Sequence, residues 1–133
     1  MIMTQEEKDL LLKDICARLP YGVKVQIDLH SDIYPQITCK VCSIEYAESG
    51  SAFIGVETSP DTYNEFREFL CKPYLFPLSS MTEEQEKEEY EICKEYIIGY
   101  ESKLIDFYNK NHIDYRDLIP MDLAIDATGL NIY

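Results

Sequence analysis

The feature that most constrains this chain is a change of hydrophobic period across Pro20-Tyr21-Gly22. Before it, Leu11, Leu12, Ile15, Cys16 and Leu19 recur at three- and four-residue spacing, the stripe of an amphipathic helix over residues 4–19. After it, Val23, Val25, Ile27 and Leu29 alternate with Lys24, Gln26 and Asp28, the two-residue repeat of a half-buried strand. A chain that switches period in this way is α+β. Thr4 with Glu7 forms a capping box at the helix start, and Pro20 with Gly22 stops it. Glu6, Glu7 and Arg18 carry the signs that the helix dipole favours at its two ends.

The alternation continues in a second strand over residues 36–46, with Ile37, Cys39 and Val41 on one face. Its phase slips near Ser43, which predicts a bulge or sharp bend. Turns are expected at His30-Ser31-Asp32 and Glu48-Ser49-Gly50-Ser51, the latter leading into a third strand over 52–57. Residues 63–70 fit either a short helix on Tyr63, Phe66, Phe69 and Leu70 or a last strand ending in a 3-10 turn. Pro73 and Pro77 force an extended crossing segment, the natural joint between two halves at residues 1–78 and 79–133.

A second capping box, Thr82 with Gln85, opens a helix over 82–98 whose inner stripe is expected on Tyr90, Cys93, Ile97 and Tyr96. Another helical stretch follows on Leu104, Ile105, Phe107 and Tyr108. Residues 114–133 lack a long period but hold seven large apolar side chains, from Leu118 to Ile132. They are expected to wrap back over the rest. The architecture predicted for residues 1–133, as one domain, is an N-terminal helix and a small curved antiparallel sheet, then two helices and a wrapping C-terminal segment. An SH3-like barrel is one form of that sheet which fits.

Net charge is −13, with −8 of it in residues 81–133. That argues against direct nucleic-acid binding and against an anionic membrane surface, both of which require clustered Lys and Arg. The N-terminus lacks the basic start and apolar run of a signal peptide. The five cysteines, an odd number, read as reduced and buried thiols, so a cytoplasmic location is expected. Eleven tyrosines with no tryptophan suggest half-buried contact surfaces.

Two segments at the chain ends and one in the middle carry a resemblance. Met3–Asp14 with Arg18-Leu19-Pro20-Tyr21-Gly22-Val23, Lys72–Glu84, and His112–Ile119 with Leu123–Ala127 are similar to a group of short proteins from gut Bacteroidales genomes and their mobile elements. The group is uncharacterised, so the resemblance implies a mobile-element context and no activity. Glycine is frequent in that group where this chain has Asp117 and Asp122, which raises the question of positive φ at both.

Catalytic and metal motifs are weak. Cys39-Lys40-Val41-Cys42 has redox or zinc spacing, yet it lies mid-strand, where residues three apart face opposite sides. One core thiol and one surface thiol are expected. The histidines are His30 and His112, and a Cys/His enzyme would need His112 to meet Cys93 or Cys71. Glu83–Glu101 holds eight glutamates and two lysines but lacks the loop glycine and alternating ligands of a calcium site. No cofactor or metal is expected. The densest polar cluster is His112-Ile113-Asp114-Tyr115-Arg116-Asp117. As a recognition corner it would use His112, Asp114, Tyr115 and Arg116 as candidate interaction residues. As a structural corner, Asp114 would cap the next segment and Arg116 would pair with the acidic helix 82–98. The expected function is that of a non-enzymatic accessory or adaptor protein of a mobile element that binds another protein. An acidic DNA-mimic inhibitor is the alternative, and a Cys/His enzyme stands third.

Overall fold

A computed structural model describes residues 3–28, 36–46, 52–94 and 100–133. The expected turns at 30–32 and 48–51, together with Leu29, Tyr96, Ile97 and Gly99, lie outside those residues.

Helix α1 spans Gln5–Arg18, and both hydrogen bonds of the Thr4–Glu7 capping box are present. Leu19–Tyr21 tighten into a 3-10 turn that Gly22 closes at φ +72°, a left-handed geometry suited to glycine. Strands β1 (Lys24–Ile27), β2 (Ile37–Tyr46), β3 (Ala52–Ser59) and β4 (Thr62–Arg67) form an antiparallel meander. The phase slip at Ser43 is a register shift between Val41 and Ser43. It keeps Cys39, Val41 and Ile44 against the core while Ser43 faces Gly55 on the outer side.

Residues 62–70 take the second of the two forms open to them, strand β4 followed by a 3-10 turn at Glu68–Leu70. That turn returns the chain to β5 (Cys71–Pro77), which pairs antiparallel with β1. The extended crossing segment is therefore itself a core strand. The sheet runs in the order β4-β3-β2-β1-β5, with a 3-10 link before β5.

Beyond β5, α2 (Glu83–Lys94) and α3 (Tyr100–Lys110) form a helical pair. Two short strands, β6 (Ile113–Asp114) and β7 (Ile125–Asp126), then add to the second half of β5 in parallel register. The tail does wrap back.

The apolar face of α1 (Leu11, Leu12, Ile15) covers the inner side chains of the sheet, among them Val25, Ile27, Cys39, Val41, Ile54, Val56 and Cys71. A second cluster joins Leu75 to Leu118, Leu123 and Ala124 of the tail, and Met3 packs against both. Each fully buried Leu, Ile or Val contributes about 1.5–3 kcal/mol relative to exposure. Met121 and Leu130, expected inside, are 43% and 50% exposed.

Several positions on the helices depart from expectation. Cys16 is exposed, its Sγ 3.8 Å from the Tyr46 hydroxyl, whereas Asp14 and Arg18 are fully buried. Tyr90 of α2 is 65% exposed, and the half-buried side of that helix is Gln85, Glu89, Ile92 and Cys93. Of the five thiols only Cys39 and Cys71 are buried, so exposed Cys16 and Cys42 and half-buried Cys93 correct the uniform expectation. Asp117 and Asp122 both sit at φ +60°.

Candidate functional site

The corner after α3 is where the sequence concentrates polar groups, and its geometry follows from two buried residues of α1. Leu11, Asp14, Ile15 and Arg18 share one helix stripe (i, i+3, i+4, i+7), so the Asp and Arg enter the core with the two apolar residues. The Arg18 Nε and Nη2 donate to Oδ2 and Oδ1 of Asp14 at 2.9 and 3.1 Å, a two-pronged pair. The remaining guanidinium protons reach across the fold. Nη2 donates to the Ile113 carbonyl at 2.6 Å and Nη1 to the Tyr108 carbonyl at 3.5 Å.

Around this pair the four candidate residues fall into place. Arg116 Nη1 donates to Asp14 Oδ1 at 2.7 Å, so it ties the tail to α1 and not to the acidic helix 82–98. Tyr115 lies between the two guanidinium groups, 5.5 Å from that of Arg18 and 4.4 Å from that of Arg116, and stacks on Tyr108. Asp114 is buried, and its carboxylate accepts from the backbone N–H groups of Leu118 and Ile119 at 2.9 Å each, the capping role expected of it. His112 stacks on Tyr133 with ring centroids 3.7 Å apart. Burial, then the Arg18 and Lys24 charges, lowers the His112 pKa to about 4, so the ring is neutral near pH 7.

Tyr133 completes the corner. The β1–β5 register pairs Val25 with Pro73 and Gln26 with Lys72, and would next place Lys24 opposite Tyr74. Instead the Tyr133 hydroxyl occupies that rung, accepting from the Lys24 N–H at 3.0 Å and donating to the Tyr74 carbonyl at 2.8 Å. Burial pushes its pKa up to about 12, which keeps the proton it donates.

All four candidate residues are thus brought together, and each has an internal role: capping, stacking or charge pairing. Among the described residues, Asn109 Oδ1, His112 Nδ1 and Tyr115 Oη are buried without a hydrogen-bond partner. Among the described residues no hydrogen bond joins His112 to Cys71 or Cys93. Cys71 belongs to the main core, where burial raises its pKa to about 12, far from a thiolate at neutral pH. Cys93 lies on the half-buried side of α2. His30 falls outside the described residues. Among those described, no group of three or more His, Cys, Asp or Glu is arranged to hold a metal ion, and no helix is long and apolar enough to cross a membrane.

A different face is left to solvent. Helix α2 buries no residue. It is held to the rest by the Tyr108 hydroxyl donating to Glu89 Oε2 at 2.6 Å, by Gln85 donating to Asn111 at 3.4 Å, and by packing on α3. Glu83, Glu84, Glu86, Glu88, Tyr90 and Glu91 stand exposed on it. Burial and the Glu89 carboxylate raise the Tyr108 pKa, so the bond that anchors α2 keeps its proton.

No family model, no curated protein and no solved structure matches this chain.

Proposed function

We propose that this chain is a non-enzymatic accessory protein that docks on another protein through the outward face of α2, and that the partner presents a basic surface. The carrying observation is that α2 buries nothing while directing five glutamates and Tyr90 outward. A helix with so little of its own surface in the core contributes little to stability. Its charge, however, can steer a basic partner, and Tyr90 supplies a ring of the kind enriched at interface anchors. In the polar cluster that most resembled a site, Asp114 and Arg116 are taken up by internal bonds and His112 and Tyr115 by ring stacking.

The DNA-mimic alternative requires carboxylates of uniform sign in a row. Lys87 and Lys94 stand among the glutamates of α2, and Lys94 pairs with Glu91 at 3.0 Å. That mixture weighs for a protein partner. The cytoplasmic location and the link to a mobile element belong to the same proposal.

The test is affinity capture from the native host with wild type and with a Glu84→Gln/Glu88→Gln/Glu91→Gln variant. A partner with a basic face, retained by wild type and lost by the variant and in high salt, is expected. Capture that ignores the substitutions would remove α2 from the interface. Capture of nothing specific would remove the proposal.

A further inference from the structure

Strand β4 ends the sheet and has no neighbour on its outer side among the described residues. Thr62, Tyr63, Asn64, Glu65 and Arg67 are all exposed, and only Phe66 is half-buried. Such an edge offers alternate N–H and C=O groups to any extended chain, so proteins usually guard it with lysine, proline or inward-pointing charge. Thr62–Arg67 contains neither lysine nor proline. Its two charges, Glu65 and Arg67, have opposite signs; among the described residues no ion pair uses either one, and the Arg67 guanidinium lies 5.5 Å from the centroid of the Phe53 ring.

We propose that β4 pairs antiparallel with β4 of a second copy of this chain, about a two-fold axis at Asn64. That register places Thr62 opposite Phe66 of the partner subunit and Tyr63 opposite Glu65 of the partner subunit, and it brings Asp61 beside Arg67 of the partner subunit. Every residue of the exposed strand is used twice, and the ends close with opposite charges.

Shape supports the same register. On the outer face, Ser43, Gly55 and Glu65 lie side by side across β2, β3 and β4. The Ser43 hydroxyl occupies the space directly above Gly55, and a shallow depression of about 420 Å³ lies among Ser43, Gly55, Tyr63 and Glu65. Tyr63, 61% exposed, is the projecting side chain beside it. In the proposed pairing, Tyr63 of the partner subunit continues the Ser43–Gly55–Glu65 row. Its hydroxyl donates to the Glu65 carboxylate. The two-fold repeats this knob and hollow on the other side.

A single ladder of this length buries less than a permanent dimer does, and two molecules of charge −13 repel at long range. The association is therefore concentration-dependent and is best observed at about 0.15 M salt, where that repulsion is screened.

Sedimentation equilibrium of the full chain from low micromolar to near-millimolar concentration tests the proposal. Wild type shifts from monomer to dimer. Arg67→Glu and Asp61→Arg each place like charges at both ends and weaken association at least tenfold. An equimolar mixture of the two restores it, because each then meets its opposite. Tyr63→Ala weakens association without affecting α2-dependent capture. Circular dichroism confirms that each variant is folded. Wild type that stays monomeric throughout, or a dimer indifferent to these substitutions, overturns the proposal.

Discussion

Asp14 accepts three hydrogen bonds from two guanidinium groups, all within a site where neither Asp14 nor Arg18 touches water. A pair so placed adds little net stability compared with apolar residues of the same size, yet removing one member strands the other as a buried charge. Asp14→Leu, which leaves the buried Arg18 guanidinium with backbone carbonyls alone, is therefore expected to lower stability by about 3–5 kcal/mol in urea titration. Arg116→Met, which leaves the Asp14–Arg18 pair intact at a site nearer the surface, should cost only about 1–2 kcal/mol. His112 acts in the opposite direction, since its place in the fold favours the uncharged ring. Its pKa is about 4 folded and about 6.5 in an unfolded chain, so the unfolded state takes up the proton first on acidification. Stability from this residue is complete above pH 6.5 and is lost as pH falls to 4, by about 3 kcal/mol in order of magnitude. In His112→Phe, which keeps the stack on Tyr133, the stability–pH curve should be flatter in that interval by the same amount. Asp117, exposed at φ +60°, gives a third test. Asp117→Val should cost about 1–2 kcal/mol, while glycine there is tolerated.

At the scale of elements, regular patterns were legible and deviations from them were not. The α1 stripe, the alternation of β1, the bulge at Ser43 and both capping boxes follow from local chemistry, and the structure contains each. The strand-or-helix choice at residues 62–70 stayed open because it depends on pairing with β3, a partner outside the segment. The same limit hid Asp14 and Arg18. Their spacing on the Leu11–Ile15 stripe was the available signal, but their bonding partners lie some hundred residues away, at Ile113 and Arg116. Tyr90 is placed otherwise for a related reason, since among the described residues α2 packs mainly on α3 and four half-buried residues suffice for that. An element with no buried side chain opens cheaply. Amide hydrogen exchange in α2 is expected to be much faster than in β1 and β2, which lie inside the sheet. Gly55 provides a sharper test, because an added Cβ would meet the Ser43 hydroxyl. Gly55→Ala should destabilise by about 1–3 kcal/mol, and Ser43→Ala in the same chain should recover most of it.

For the whole molecule, the organising strand is β5. It extends the antiparallel sheet beyond β1, and its second half receives β6 and β7. Leu75, at its centre, is the only strand residue among the described residues of the second core cluster, where it meets Leu118, Leu123 and Ala124. Most of what completes the N-terminal half thus arrives from the far end of the sequence. Residues 113–116 cover the Arg18 guanidinium, and Tyr133 fills the rung between Lys24 and Tyr74. A nascent polypeptide emerging from the ribosome would consequently hold Arg18 uncovered and the β1–β5 ladder one rung short until residues 113–133 had been translated. The N-terminal half then completes its folding only after those residues emerge. Stalled chains ending at residue 112 should be cut by protease at sites that chains extended through residue 133 protect.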